Sequence, residues 1–227
     1  MIKAVIFDFD GVLVESVDIK TKAFTRLFEP EGSEACGRIV DYHVKNGGVS
    51  RFEKFRYIYS SILKRDLSDA VFNSLCERFA SLVLEEVVRA PYVKGAMEFI
   101  GSYASKYSLF ISSATPQTEI DEIVYRRGIG KYFRGVFGSP SNKKDIVGGI
   151  IGRSGFSADE AIYVGDAISD FEAASLHNVK FIARVTPDNR LFDSIECVKI
   201  KDLQGLRSLL EGSDNNKLSL SRDETAG

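Results

Sequence analysis

The chain has 227 residues, of which 44% are hydrophobic, and its formal net charge is −2 at pH 7. A chain of this size and composition can bury a substantial hydrophobic core, either as one domain or as one domain with an insert. Its nearly balanced charge excludes a globally basic surface for nucleic acid, and no apolar run is long enough to cross a bilayer. We therefore expect a globular protein that binds neither nucleic acid nor a membrane.

The cysteines and the start of the chain indicate a cytoplasmic protein. Cys36, Cys76 and Cys197 are scattered and have no Cys-x-x-Cys spacing, a distribution typical of reduced thiols. The first apolar run follows Met1 so closely that no signal peptide is expected. Neither of the two histidines has neighbours at the spacing of a metal site, so we expect both to be incidental. The oligomeric state stays open, with a monomer as the expectation.

The first predicted element is the apolar run Ala4–Phe7, which is typical of a buried parallel strand. It ends at Asp8 and Asp10, and Gly11 then lets the chain turn away. Alternation along a strand sends both carboxylates to the same side, at the edge where open α/β sheets bind ligands. Two such carboxylates repel each other unless a cation such as Mg²⁺ lies between them. An ordinary polar turn is the alternative for this motif by itself.

Residues 17–90 lose the strand pattern and are predicted to be helical. The expected helices are 21–28, 34–45, 50–63 and 68–88. After Pro91 strands and helices alternate again. We therefore expect a helical insert, residues 16–90, in a core formed by residues 1–15 and 91–211. The tail, 212–227, is polar without periodicity and is predicted to be disordered.

Within the insert, Gly47 and Gly48 precede a predicted helix that carries Arg51 in its first turn. A helix N-terminus with an arginine beside it is suited to bind an anionic group of a substrate. The alternative is a loop whose basic side chains face water while the aromatic side chains of the helix pack inward.

Two further strand ends supply candidate phosphate-binding residues. The apolar run 109–111 ends in Ser112 and Ser113 ahead of a predicted helix, so hydroxyls and free backbone N–H groups meet there. Such serine clusters also serve as ordinary helix N-caps. The predicted strand 136–137 is followed by a loop that contains Lys143, for which a solvated surface position is the alternative.

A second acidic motif follows the apolar run 161–164. Asp166 lies at the tip of this predicted strand, where it can complete a metal site with Asp8 and Asp10. Asp170 lies at the start of the next predicted helix. It either caps the N-terminus of that helix or holds a metal-bound water.

The order of these motifs resembles that of the haloacid dehalogenase superfamily of phosphotransferases: Asp-x-Asp-Gly, a serine at a strand end, a loop lysine, and Gly-Asp-x-x-x-Asp. The resemblance implies an α/β fold, a doubly wound, Rossmann-like parallel sheet with a small helical cap inserted after the first strand. It implies that Asp8 is the nucleophile and that Asp10 is the general acid and base. The residues that it assigns to the phosphoryl group are Ser113, Ala114 and Lys143, and those that it assigns to Mg²⁺ are Asp8, Asp10, Asp166 and Asp170. Ser112 and Lys144 stay open as alternatives to Ser113 and Lys143.

The resemblance implies a Mg²⁺-dependent phosphomonoester hydrolase that forms an aspartyl-phosphate with a small metabolite, a sugar phosphate or a phosphoglycolate-like compound. The segment from Gly48 to Arg51 resembles the cap loop of the β-phosphoglucomutases, which places Gly48, Arg51 and Lys20 at the substrate. Those mutases carry a histidine where this chain has Lys20, so a phosphatase is favoured over a sugar phosphomutase. A non-catalytic binding protein on the same scaffold is a further alternative, and a dehalogenase is disfavoured because it needs no Mg²⁺.

Overall fold

A parallel six-stranded sheet lies at the centre of the computed structural model, which describes residues 1–187 and 189–212. The strands along the chain are β1 (Ala4–Phe7), β2 (Ser108–Pro116), β3 (Gly135–Ser139), β4 (Ala161–Gly165), β5 (Lys180–Arg184) and β6 (Val198–Ile200). Their order in the sheet is β3-β2-β1-β4-β5-β6, and every pairing is parallel. Because the order reverses at β1, a crevice opens at the carboxyl ends of β1, β2 and β4.

Nine α-helices accompany these strands in the part of the chain that the structure describes, and all but the last lie between two strands in the sequence. They are α1 (Val17–Phe28), α2 (Ser33–Lys45), α3 (Arg51–Tyr57), α4 (Asp69–Arg89), α5 (Ala96–Tyr103), α6 (Gln117–Arg126), α7 (Lys143–Ser154), α8 (Ile168–Leu176) and α9 (Leu203–Gly212). Helices α1 to α4 form the helical insert between β1 and β2. The predicted helix 50–63 is divided here, since α3 continues into a π-helix, Ile58–Leu63.

All residues of β1 are fully buried because helices cover both faces of the sheet. Val5 and Phe7 belong to one hydrophobic cluster, in which the Phe99 ring lies edge-on to Phe7 at 5.7 Å between centroids. Ala4 and Ile6 belong to a second cluster on the opposite face. Both faces of the strand therefore require apolar side chains, which explains the uninterrupted apolar run.

Phenylalanine rings hold the helical insert together. The Phe24 ring on α1 lies 4.9 Å from that of Phe79 on α4 and 5.7 Å from that of Phe55 on α3, between centroids. All three side chains are buried, and each such pair contributes about 0.5–1.5 kcal/mol beyond the area that it buries. This aromatic core fixes the relative positions of α1, α3 and α4.

The chain passes into and out of the helical insert through two adjacent segments. An isolated antiparallel bridge pairs Val14 with Tyr92, and the backbone N–H of Glu15 donates to Pro91 O at 3.0 Å. The two ends of the insert are therefore fixed side by side before its helices begin.

The predicted α/β fold, a doubly wound parallel sheet, is confirmed. The sequence predicts Lys143 in a loop, whereas in the structure it begins α7, because Asn142 caps this helix by accepting from the backbone N–H of Asp145 at 2.9 Å. Within the described ranges, no helix is both long and apolar enough to cross a membrane. Of the tail predicted to be disordered, Gly212 ends α9 and the remainder lies outside the described residues.

Candidate active site

Three carboxylates meet at the carboxyl ends of β1 and β4. Asp8 follows β1, and its backbone N–H donates to Val164 O at 2.9 Å, which ties the ends of the two strands together. Asp166 follows β4, and Asp170 lies in the first turn of α8. One carboxylate oxygen from each of Asp8, Asp166 and Asp170 lies within 4.8 Å of the other two. This acidic group offers hard oxygen ligands in the crevice where open α/β sheets bind ligands.

Burial and mutual repulsion make the acidic group electrostatically unfavourable on its own. Burial raises the pKa of Asp8 to about 7, with Asp170 and Asp10 adding to the increase and Lys143 opposing it. Burial also raises the pKa of Asp166 well above its ordinary value, and the neighbouring carboxylates add to that increase. A divalent cation between these oxygens would neutralise the repulsion. The donor set therefore fits Mg²⁺, which prefers carboxylate oxygens.

Lys143 joins two members of the acidic group. Its buried Nζ donates to Asp8 Oδ2 at 2.6 Å and to Asp170 Oδ1 at 2.6 Å. Burial lowers the pKa of this ammonium, but the two carboxylates outweigh burial and hold the pKa well above its ordinary value. Lys144, the alternative from the sequence, instead pairs with Glu172 at 3.0 Å, and both of those side chains are about half exposed. The structure thus brings Lys143, and not Lys144, to the acidic group.

Asp170 has a partner for each of its carboxylate oxygens. Besides Lys143, its Oδ1 accepts from Tyr163 Oη at 2.7 Å, and its Oδ2 accepts from the backbone N–H of Ala167 at 3.1 Å. This second bond caps the N-terminus of α8, so Asp170 is both a helix cap and a member of the acidic group. Gly165 is required here because a Cβ at that position would overlap the Asp170 side chain.

The carboxylate of Asp10 lies outside the acidic group and has its own partners. It accepts from Ser16 Oγ at 2.6 Å and from Thr115 Oγ1 at 3.2 Å, and it forms an ion pair with Lys20. Burial raises the pKa of Asp10, but Lys20 and the hydrogen bonds outweigh burial and hold the pKa below its ordinary value. Lys20 also donates to Thr115 Oγ1 at 2.8 Å. Asp10 is therefore ionised and tied to α1 by Lys20.

This placement differs from the expectation that strand alternation directs both carboxylates of the Asp-x-Asp-Gly motif to one metal. Because β1 ends at Phe7, alternation no longer governs the side chains of Asp8 and Asp10. The chain then turns at Gly11, whose φ of +75° favours glycine. Arg184, at the end of β5, holds this turn by donating to Gly11 O at 3.0 Å. The turn gives the two carboxylates separate environments.

The serines of the predicted phosphate cradle lie on β2, which runs on to Pro116. Ser112 and Ser113 are both buried. Ser113 Oγ accepts from the backbone N–H of Thr115 at 3.1 Å, whereas Ser112 Oγ has no partner among the described groups. Ala114 and Thr115 line the cavity in front of the acidic group. Thr115 is thus a site residue that the motif alone does not single out.

A cavity of about 670 Å³ is lined by the carboxyl edge of the sheet on one side and by the helical insert on the other. Gly48 of the insert approaches the acidic group closely, since an added Cβ would overlap Ser169 Oγ and lie 3.1 Å from Lys143 Nζ. At Gly47 an added Cβ would have more room, with Ala167 Cβ nearest at 3.8 Å. The insert therefore contacts the site directly, at a position where a larger residue would have to displace Ser169 Oγ.

Arg51, the candidate contact for an anionic group of the substrate, already has partners. Its guanidinium forms an ion pair with Glu119 on α6 and donates to Cys76 O at 3.4 Å. It also lies 4.8 Å from the centroid of the Phe79 ring. The buried side chain thus lies in the cavity wall, but its charge joins the insert to the core.

Two buried side chains of the cavity wall have no signal in the sequence. Lys54 Nζ lies 3.0 Å from His43 Nδ1, and both residues line the cavity. His43 is therefore not incidental to the site, contrary to the expectation, whereas His177 lies 2.8 Å from Lys144 O outside the cavity lining. Because His43 and Lys54 belong to different helices, α2 and α3, their contact depends on how the helices pack, and no local spacing reveals it.

Comparison with known proteins agrees with this geometry. A family model described as haloacid dehalogenase-like hydrolase matches residues 5–184. The chain belongs to this family. The match includes Asp8, Asp10, Lys143, Asp166 and Asp170, and the prediction made from the order of the motifs is confirmed.

Two curated relatives are phosphatases. The phosphorylated carbohydrates phosphatase of Thermotoga maritima is 28% identical over 131 residues, which make up 58% of this chain and 58% of that protein. The phosphoglycolate phosphatase of Pseudomonas putida is 23% identical over 188 residues, which make up 79% of this chain and 68% of that protein. The chain thus matches little more than half the length of the first relative.

Solved structures share the fold across nearly the whole chain. A β-phosphoglucomutase from Clostridium difficile has a TM-score of 0.76 at 18% identity, and the match covers 94% of this chain and 98% of that one. A predicted phosphoglycolate phosphatase from Haemophilus somnus has a TM-score of 0.73 at 16% identity, with 92% of this chain and 98% of that one covered. At such identities the likeness establishes the fold alone.

Proposed function

We propose that the protein is a Mg²⁺-dependent phosphomonoester hydrolase that acts on a small phosphorylated metabolite through an aspartyl-phosphate on Asp8. The observation that carries the proposal is the buried carboxylate of Asp8, held by Lys143 and grouped with Asp166 at one end of a cavity of about 670 Å³. A cavity of that volume suits a ligand of the size of a sugar phosphate or a phosphoglycolate-like compound. The two curated phosphatases support the same substrate class.

The reaction divides one displacement into two steps. A carboxylate oxygen of Asp8 attacks phosphorus, and a bond from Asp8 to phosphorus forms as the bond from phosphorus to the ester oxygen breaks. Asp10 passes a proton to the leaving alkoxide, and its ion-pair partner Lys20 supplies that proton. Asp10 then removes a proton from the water that attacks the intermediate and returns that proton to Lys20, so that inorganic phosphate leaves and Asp8, Asp10 and Lys20 are all restored. The ionised state of Asp10 suits this second step.

The remaining residues hold the phosphoryl group and the metal. Lys143, the backbone N–H groups around Ala114 and the hydroxyl of Ser113 are proposed to stabilise the charge of the phosphoryl oxygens. Asp8 and Asp166 are proposed to hold Mg²⁺, with Asp170 in support. The ion supplies positive charge that offsets the repulsion between the nucleophile and the dianionic phosphate. The carboxylate of Asp10, engaged by Lys20, is not proposed as a ligand.

We propose that residues 16–90 form a cap on a core made of residues 1–15 and 91–211. The aromatic core within the helical insert and the close approach of Gly48 to the site support this division. In this arrangement Gly48, Arg51 and Lys20 line the cap side of the cavity and face the bound substrate.

The proposal is tested by the release of inorganic phosphate from a panel of phosphomonoesters, measured on the full chain with Mg²⁺ and again with EDTA. We expect turnover that EDTA abolishes and that Asp166→Asn reduces by at least tenfold at limiting Mg²⁺. Turnover that EDTA leaves unchanged would contradict the metal assignment, and no turnover of any phosphomonoester would contradict the hydrolase.

A second arm of the test addresses the mutase alternative. The protein is given a sugar monophosphate together with the corresponding bisphosphate, and phosphate release and isomerisation are followed together. Because this chain carries an amine, Lys20, at the position where the mutases carry an imidazole, we expect release of phosphate to dominate. Isomerisation that outpaces release would replace the hydrolase by a mutase.

A further inference from the structure

The basic side chains that line the cavity differ in how their charge is matched. Among those that are buried or half-buried, three have a carboxylate partner in an ion pair. These pairs are Lys20 with Asp10, Arg51 with Glu119 and Arg184 with Glu15. Lys54 is the exception, since within residues 1–187 and 189–212 no carboxylate forms an ion pair with it.

The buried side chain of Lys54 contacts one histidine and lies beside an aromatic ring. The side chain is 2% exposed, and its Nζ lies 5.6 Å from the centroid of the Phe24 ring. Burial lowers the pKa of His43 to about 2, and Lys54 and Lys20 add to that decrease. The imidazole is therefore neutral at pH 7, and its Nδ1 accepts from Lys54 Nζ at 3.0 Å.

The ammonium of Lys54 keeps a donor that no described group uses. An ammonium carries three N–H donors. His43 accepts two of them, at Nδ1 (3.0 Å) and at its backbone oxygen (3.4 Å). Burying a cation without a carboxylate partner is unfavourable, so stability does not explain a lysine here. An anion in the cavity would supply both the missing charge and an acceptor for the third donor.

We propose that Lys54, oriented by His43, binds a second anionic group of the substrate, so that the preferred substrate is a phosphomonoester with a carboxylate or a further phosphate at its other end. This inference rests on the proposed hydrolase and adds the class of substrate to it. It also assigns the distal contact to Lys54, whereas the sequence points to Arg51, whose charge Glu119 already matches.

The test uses a matched series of substrates on the full chain with Mg²⁺. The series consists of ω-phosphooxy carboxylates with different numbers of methylene groups, each paired with its uncharged amide. We expect the wild type to prefer the acid over the amide by about tenfold to a hundredfold in kcat/KM at the best chain length, the range for a hydrogen bond between charged groups. A bisphosphate series, paired with its hydroxyalkyl phosphates, distinguishes a distal phosphate from a carboxylate.

Lys54→Met should abolish that preference and leave p-nitrophenyl phosphate turnover within about twofold of the wild type. Lys22→Met is the matched control, because Lys22 is an exposed lysine on the insert outside the cavity lining. A preference for the acid that survives in Lys54→Met would overturn the inference, as would equal losses on acid, amide and aryl phosphate. No p-nitrophenyl phosphate turnover by the wild type would instead count against the hydrolase.

A binding measurement keeps the inference testable even without turnover. Calorimetry compares a non-hydrolysable ω-phosphonocarboxylate with its amide, on the wild type and on Lys54→Met. We expect the wild type to bind the acid at least tenfold more tightly than the amide, and the variant to bind both equally. Equal binding of acid and amide by the wild type at every chain length would contradict a second anionic subsite.

Discussion

Asp8 is the residue on which the proposed chemistry depends most directly. Asparagine at this position has nearly the same shape but is neither an anionic nucleophile nor a good ligand for Mg²⁺. We therefore expect Asp8→Asn to lower kcat by at least a thousandfold, since no neighbouring group can supply the same covalent route. Phosphate release measures the effect, and circular dichroism checks the fold. Retained turnover in a folded variant would contradict the role of Asp8 as the nucleophile.

Lys54 is the residue at which stability and function are expected to oppose each other. Burial, Lys20 and Lys143 lower its pKa from the ordinary 10.5 to about 7, although Asp10 opposes that decrease. Between these two values the unfolded chain holds a proton that the folded chain has released, so wild-type stability rises with pH across this window. The cost of the buried charge is therefore full below pH 7 and disappears toward pH 10.5.

Lys54→Met should consequently stabilise the protein at neutral pH while it removes the anion preference. Replacing buried charge by apolar groups stabilises some proteins by about 1–4 kcal/mol, and because His43 loses its donor we expect a gain of about 1 kcal/mol at pH 7. Urea unfolding of both proteins between pH 6 and 10 measures the difference, which should shrink as the pH rises. A difference that is constant with pH would show that folding does not lower the pKa of Lys54.

At the scale of single elements, the contact between the insert and the acidic group depends on Gly48. A Cβ there would overlap Ser169 Oγ and lie 3.1 Å from both Ala167 Cβ and Lys143 Nζ, so Gly48→Ala has to displace the Ser169 hydroxyl and crowds the loop against Ala167 and Lys143. We expect kcat/KM to fall by about tenfold or more on small and large substrates alike, because the loop no longer closes over the phosphoryl group.

Gly47→Ala is the control for this prediction. The added Cβ would meet only Ala167 Cβ at 3.8 Å, which is an ordinary contact. Steady-state kinetics on both variants measure the two changes in kcat/KM. Comparable decreases in kcat/KM at Gly47 and Gly48 would mean that loop flexibility, rather than the overlap, limits the rate.

The sequence predicts those elements whose signal is local. The run Ala4–Phe7 is buried on both faces, so its apolar composition is enough to predict a central strand. The acids that follow this strand can be read directly from the sequence. The sequence does not predict the direction of the Asp10 side chain, because the strand ends at Phe7. The partners that fix this direction come from α1 and β2.

The sequence also does not predict contacts between separate helices. The pair His43 and Lys54 forms only when α2 and α3 pack together, and the pairing of Arg51 with Glu119 joins residues that lie far apart in the chain. The start of α7 at Lys143 was missed because the capping role of Asn142 depends on its backbone conformation, which the local composition of serine, proline and lysine does not reveal.

At the scale of the whole molecule, contacts between the helical insert and the core concentrate on α6 and the residue after it. Arg51 on α3 pairs with Glu119, and Glu85 on α4 accepts from both guanidinium nitrogens of Arg126, at 2.6 and 2.9 Å. The guanidinium of Arg127 donates to carbonyl oxygens at the end of α4. Helix α6 therefore serves as the surface of the core on which the insert rests.

The pair Arg51 and Glu119 should behave as a structural unit. Removing one partner leaves the other charge largely buried, so we expect Arg51→Ala and Glu119→Ala each to destabilise by about 3 kcal/mol, and the double variant by clearly less than their sum. Urea unfolding of the four proteins measures the coupling. We also expect Arg51→Ala to affect minimal and larger substrates equally, and a loss confined to the larger substrates would restore Arg51 as a substrate contact.

The paired segments at the base of the insert have a consequence for how such an enzyme changes its substrate. Val14 and Tyr92 bridge the two crossings of the chain, and Glu15 bonds to Pro91. Because the core itself holds these crossings together, and because the entropy of loop closure grows only slowly with length, a longer insert costs little more to close than a shorter one. The helices beyond α1 can therefore change, and the substrate preference with them, while α1 keeps Lys20 beside Asp10 and the acids of the core stay in place.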